Sequence, residues 1–252
     1  MHQQGDCCQS TAGSPERNSF FTGKLLTADD FTDEQSYFRG KLRRHNRLVH
    51  GAGVVCGLEV QPAGGADSPW HIAVSPGYAL GPYGDEILVC EPVCIDLASY
   101  CPPSPRPGRP AGRRRARRVV FVTIEYAEVP CNPAPIPAGA AGSDAGEPTR
   151  IRESFVIRCS ADCPDSPSST DTLCERLRRN RFPEGAPCPG DPRLLLARVT
   201  LPAAPDTTLR PRDVDNGVRP SLFSLTMIQE QLIQCCCGRA RDRKTGRRRR
   251  PR

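Results

Sequence analysis

The chain has 252 residues, enough for one large β-rich domain or two smaller ones with a buried core. Its 27 Pro and 22 Gly, set against 8 Phe, 5 Tyr and 1 Trp, predict a modest core with long irregular connections. The net charge of +7 lies between Arg239 and Arg252, where nine Lys or Arg stand against one Asp; the remaining chain sums to −1, which excludes a nucleic-acid binder working through its whole surface.

Residues 1–17 read as a disordered N-terminus. The opening MHQQGDCCQSTAG lacks the charged start and apolar stretch of a secretory signal, so the protein is expected to begin in the cytoplasm. No run of about 18 apolar residues follows, so no membrane span is expected. A lead-in segment, Phe20-Phe21-Thr22-Gly23-Lys24-Leu25-Leu26, precedes a long helix predicted over 28–48, against which Phe20, Phe21 and Leu25 are expected to anchor. Thr27 is the candidate N-cap, with Asp30 three residues on as the partner in a capping box. Asp29, Asp30, Asp33 and Glu34 crowd the first turns and Arg39, Lys41, Arg43, Arg44 and Arg47 the later ones, an order that complements the helix dipole. Phe31, Gln35, Phe38, Leu42 and Val49 fall near helical spacing. That apolar face is expected to pack on the protein's own sheet, with the charged flank available to a neighbouring subunit. His45 and Asn46 lie near the helix end, and Gly51 and Gly53 close it.

Strands follow. GVVCGLEVQ, containing Gly57, reads as one strand, with Cys56 as a small buried hydrophobe. HIAVSPGYALGPYGDEILVCEPVCIDL reads as a meander of three short strands, punctuated at Ser75-Pro76-Gly77 and at Gly81-Pro82-Tyr83-Gly84. The segment from Arg117 to Val129 is the strongest strand, with Val120, Val122, Ile124 and Tyr126 on one face and Val119, Phe121 and Thr123 on the other. Glu153 to Cys159 and Arg193 to Leu201 add two more, Asn216-Gly217 marks a turn, and Ser221 to Gln234 carries Leu222, Leu225, Ile228 and Leu232 at helical spacing. The expected fold is mainly β, an antiparallel sandwich or barrel-like meander, with one long N-terminal helix and a short C-terminal helix. The expected units are a helix-plus-meander module over 18–98, a Pro/Arg-rich linker over 99–118, a second β region over 119–234 and a disordered Cys/Arg-rich tail over 235–252. Loops are expected at 101–112, 130–148 and 160–192.

The 14 cysteines show no standard zinc knuckle; the closest spacings are Cys90-x3-Cys94 and Cys159-x3-Cys163. A metal site, if there is one, would sit best on Cys159, Cys163, Cys174 and Cys188; disulfides in the Pro-rich loops are the other reading, for a particle that ends outside the cell. No resident metal or cofactor is expected. Enzymatic constellations are weak. His45 and His50 are five apart, which puts them off one face of an α-helix, and a Cys56–His71 dyad is outweighed by a buried Cys beside an edge His. Asp85-Glu86 and Asp213-x-Asp215 read as solvated or backbone-capping pairs, and there is no G-x4-G-K-[ST] loop.

The string FFTGKLLTADDFTDEQSYFRGKLRRHNRLVHGAGVVCGLEV, from Phe20 to Val60, resembles proteins encoded beside contractile phage-tail-like injection systems. The pattern V-x-P-G-x-A-x-x-x-x-G-x-x-I from Val74 to Ile87 looks like baseplate and tail-fibre β-modules, and Leu195, Ala197, Arg198 and Val199 with Asp215, Asn216 and Arg219 are similar to that family's second half. The likeness spans 18–98 well and 190–234 loosely; the Cys-rich loops and the Arg tail have no counterpart. It implies a structural, non-enzymatic, oligomeric component of a bacterial particle, released or membrane-docked, whose partners are the other subunits. In that reading Phe20, Phe21, Gly23, Leu25, Phe31, Phe38, Leu42, His45, Asn46, Gly51, Gly53 and Gly57 serve assembly and packing. The alternative is a cytoplasmic module that holds nucleic acid or another anionic polymer through Arg247, Arg248, Arg249 and Arg250. A Cys-rich metal-binding protein is the third reading.

Overall fold

The computed structural model describes residues 15–99, 118–133, 148–164, 190–202, 207–223 and 227–230. Most of the linker, the Arg tail with Arg247 to Arg250, and Cys174 and Cys188 lie outside the described residues. Helix α1 spans Ala28–His45 and continues into a π-helical turn, Asn46–His50, before Gly51 ends it. The Thr27 capping box forms as expected: the Asp30 amide donates to Thr27 Oγ1, and the Thr27 amide donates to Asp30 Oδ2.

The body is mainly β, built as three antiparallel sheets. Ten strands make them: β1 (Gly53–Gly57), β2 (Val60–Pro62), β3 (His71–Val74), β4 (Gly77–Leu80), β5 (Glu86–Val89), β6 (Val93–Asp96), β7 (Arg118–Pro133), β8 (Pro148–Ser160), β9 (Leu194–Leu201) and β10 (Val214–Asp215). The sheet orders are β1-β4-β5, β2-β3-β6 and β10-β9-β7-β8. The chain is helical again over 227–230, within the expected C-terminal helix of Ser221 to Gln234, but 221–223 are not helical because Ser221 bridges Val54 of β1; Leu225 and Leu232 lie outside the described residues.

Two expectations about the first sheets fail. GVVCGLEVQ is two strands rather than one, and the following segment supplies four strands rather than three. The break falls at Gly57 and Leu58, both in the left-handed region with φ of +61° and +54°. Only glycine adopts that conformation cheaply, and Leu58 does so while fully buried. The corner sends β1 into one sheet and β2 into another, and the chain returns to the first sheet between β3 and β4 through Ser75 and Pro76, with no positive φ there. The result interleaves two three-stranded sheets instead of forming a meander. A Cβ on Gly57 would lie 2.0 Å from the Pro76 carbonyl oxygen, so these two crossings touch backbone to backbone.

A β-bulge between Val54 and Cys56 also breaks the alternation of β1. Cys56 is therefore exposed, not buried. It also lies in a different sheet from His71, so no dyad assembles.

One hydrophobic cluster joins both halves of the chain. It runs from Val54, Leu58, Val60, Trp70, Ile72 and Val74 through Ile87, Val89 and Leu97 to Val120, Val122, Ile124, Leu196, Val199 and Leu201. On the opposite face of β7, Thr123 is buried and donates to the Arg158 carbonyl, whereas Val119 is exposed, so the second face is only partly covered. Strands β7 and β8 run farther than expected, pairing from Phe121↔Ser160 out to Pro133↔Pro148. The predicted loop 130–148 thus begins and ends in a two-stranded ribbon, through 130–133 and Pro148, and 134–147 lie outside the described residues. Pro130 and Pro133 fit there because β9 flanks β7 only as far as Ile124.

The second half reaches back to hold the strained corner. Asn216 offers Oδ1 to the Val60 amide and donates from Nδ2 to the Val60 carbonyl, both at 2.9 Å, so its side chain substitutes for a neighbouring strand. Arg219 donates to the carbonyls of Gly57 and Leu58 at 3.2 and 3.0 Å. The expected Asn-Gly turn is a 3-10 turn, Asn216–Val218, capped by the Asp215 carboxylate on the Gly217 amide. Replacing Asn216 by Ala strands both Val60 backbone groups. We expect this to lower the unfolding free energy by about 2–4 kcal/mol in urea denaturation; a loss below about 0.5 kcal/mol would show that the clasp is dispensable.

Candidate functional site

Helix α1 contains no buried residue along its 18 residues. It is fixed to the body by polar side chains near its C-terminal end. Arg43 Nε donates to Asp85 Oδ1 at 2.5 Å, Arg39 pairs with Glu128 of β7, and Asn46, the buried polar residue of the π turn, donates to the Gly84 carbonyl at 3.0 Å. The Tyr126 hydroxyl donates to Glu128 Oε1 at 2.9 Å, and the Arg43 guanidinium lies 5.9 Å from the Tyr126 ring centre. Burial pushes the Tyr126 phenol well above its ordinary value, with the Glu128 carboxylate adding to the effect, so it stays a proton donor. Arg39, Leu42, Arg43, Asp85, Tyr126 and Glu153 line a shallow hollow there.

Gly84 sets how closely the helix can sit. Its φ is +88°, and a Cβ built there would lie 2.1 Å from the Arg43 carbonyl oxygen. Any side chain is thus both strained and obstructed.

The clamp turns the polar side of α1 inward, which corrects the expectation that the apolar face packs on the protein's own sheet. Phe31, Phe38 and Leu42 are 55%, 53% and 50% exposed, and Leu48 and Val49 are exposed as well. The physical reason is angular. Arg39, Arg43 and Asn46 lie roughly a quarter-turn around the helix from the line through Phe31, Phe38 and Leu42, at about 100° per residue. Anchoring the first set aims the second sideways into solvent.

The lead-in segment is held differently from expectation too. Phe20, Phe21 and Leu25 are exposed rather than anchored against the helix. Polar contacts do the holding: Asn18 Nδ2 donates to the Asp30 carbonyl at 2.5 Å, Lys24 pairs with Asp30 at 2.9 Å, and Lys24 lies over the Phe20 ring. Gly23 sits in the turn closed by the Lys24 amide on the Phe21 carbonyl.

His45 and His50 come together, against expectation. The π turn has more residues per turn than an α-helix, so positions five apart share a face. Their ring centres are 5.3 Å apart, edge to face, on the surface. Gly51 and Gly53 lie at the junction with β1, where Leu222 packs over Gly53 and Leu222 and Pro220 bond to Val54. The acidic pairs take the expected capping roles, Asp213 on the Arg210 amide and Asp215 on Gly217, but Asp85 instead receives Arg43. Among the described residues, no group of three or more His, Cys, Asp or Glu is placed to hold a metal ion, and no helix is long and apolar enough to cross a membrane. Of the proposed cysteine set, Cys159 is buried and Cys163 exposed.

Sequence reasoning missed Gly84, Asp85, Tyr126 and Glu128. The turn at 81–84 carries a signal for a bend, but nothing in one dimension joins it to Arg43, about forty positions away. No protein-family model matches the chain, and no curated protein matches it.

Two outcomes follow from this geometry. Gly84→Ala is expected to weaken helix docking by about 1–3 kcal/mol, read as faster amide exchange over 43–50 with the β core still protected; unchanged exchange there would contradict the clamp. Lys24 and Thr27 hold the Asp30 carboxyl down to about 2 from 3.8. A carboxylate whose folded value is depressed stabilises the fold fully above 3.8, and that contribution disappears as pH falls through about 2. The Thr27–Asp30 amide shifts should hold down to 3.8 and collapse toward 2, and collapse well above 3.8 would rule the capping carboxylate out.

Proposed function

We propose that this protein is a structural, non-enzymatic component of a phage-tail-like contractile injection particle that works by packing against neighbouring subunits. The observation that carries this reading is the helix held by its charged side with its apolar stripe outward. Isolated helices of this length are marginal in water and usually gain their stability by burying an amphipathic face. Here the capping box and the polar clamp keep the helix folded without that burial. Phe31, Phe38, Leu42, Leu48 and Val49 remain as apolar surface for another subunit to cover. The lead-in adds exposed Phe20 and Phe21 beside the N-terminal end of the helix, where Asn18 and Lys24 tie it to Asp30.

The β7–β8 ribbon beyond the core, with Val129 and Ile151 exposed, supplies a second element, and among the described residues its edges beyond Ile124 pair with no further strand. The resemblance over residues 18–98 supports the same role and names the particle class.

The test is incorporation. Particles purified from cells carrying Phe38→Lys with Leu42→Lys should contain this protein at less than about a tenth of the wild-type amount, because two buried apolar anchors are lost while the fold is untouched. Incorporation at wild-type stoichiometry, or intact particles in cells that lack the gene, would overturn the reading.

A further inference from the structure

Resting on the reading of α1 as an assembly surface, we infer that its first partner is the α1 of a second copy of this chain, packed antiparallel about a two-fold axis. Phe31, Gln35, Phe38, Leu42 and His45 recur at alternating separations of four and three residues. That spacing is the seam of a two-helix coiled coil. A helix packed on a globular body needs a wider stripe, and here the body has taken one flank instead, through Arg39, Arg43 and Asn46. The other flank, carrying Glu34 and Lys41, is left beside the seam.

Charge selects the occupant and its direction. The acidic residues of α1 all precede residue 35 and the basic ones all follow residue 38. An antiparallel second copy lays each acidic half on a basic half, whereas a parallel copy lays like on like. The two-fold axis then falls between residues 36 and 37. Phe31 meets Leu42 of the second copy, Gln35 meets Phe38, and on the open flank Glu34 meets Lys41, each contact occurring twice.

A separate observation agrees. Glu34 makes no ion pair among the described residues. Lys41 makes no ion pair among the described residues. The antiparallel contact sets the ammonium of one copy beside the carboxylate of the other.

Sedimentation of the full chain across a dilution series tests this. The wild type should sediment as twice the 27.5 kDa chain mass at high concentration. Phe38→Lys, at an exposed position, should give a monomer with an unchanged circular dichroism spectrum. Glu34→Lys alone and Lys41→Glu alone should each weaken association roughly tenfold or more, and the two together should restore it. A wild-type monomer at every concentration, a dimer indifferent to Phe38→Lys, or a double exchange that fails to restore association overturns the pairing. A monomer that still needs Phe38 to join particles overturns the pairing while the assembly reading stands. A dimer with the predicted charge dependence whose Phe38→Lys variant still joins particles supports the pairing and removes the assembly reading.

Discussion

Arg43, Asn46 and Gly84 meet where the long helix touches the β body, and that contact decides which side of the helix faces outward. Gly84 has no side chain, so the Arg43 backbone can lie directly against the 81–84 turn. Asn46 is buried with its donor satisfied by the Gly84 carbonyl, and the Arg43 guanidinium is neutralised by Asp85 on the next residue. A buried amide and a half-buried ion pair are specific in geometry and modest in energy. They fix the helix at one rotation without hiding its apolar side. Had Phe38 and Leu42 been the residues turned inward, the exposed face would have been charged and soluble, with little to offer a partner.

The rest of the body makes that contact possible. The 81–84 turn joins β4 to β5, so its position depends on the sheet β1-β4-β5. That sheet is placed by the corner at Gly57 and Leu58, where two left-handed residues divert the chain. The corner is strained, and it is held from far along the chain by Asn216 and Arg219. A chain of polar clasps therefore runs from Asn216 through the corner to the turn that receives the helix. The hydrophobic cluster underneath supplies the bulk of the stability, while the clasps supply the direction.

Much of this was legible in sequence where the signal is local. Thr27 and Asp30 announced the helix start, the acid-to-base order its direction, and the apolar runs at 117–129 and 193–201 the two central strands β7 and β9. The short strands were legible as strands but not in their pairing. Alternation shows which residues share a face and says nothing about which sheet a strand joins, and Leu58 gives no hint that it adopts a positive φ. The outward apolar face was missed because amphipathicity fixes only that a helix has two sides. Which side binds depends on Asp85 and Glu128, both remote in sequence from Arg43 and Arg39. The His45–His50 contact was missed because α-helical spacing was assumed where the chain forms a π turn.

The most direct measurement is carbene footprinting of the dilute chain and of the chain in its assembled state, read at Phe31, Phe38 and Leu42. Strong labelling of all three is expected in the dilute chain and protection on assembly, with Val120, Val122 and Ile124 protected in both. Protection of Phe31, Phe38 and Leu42 in the dilute monomer would mean that the helix buries its apolar side on its own body, and the account would be wrong.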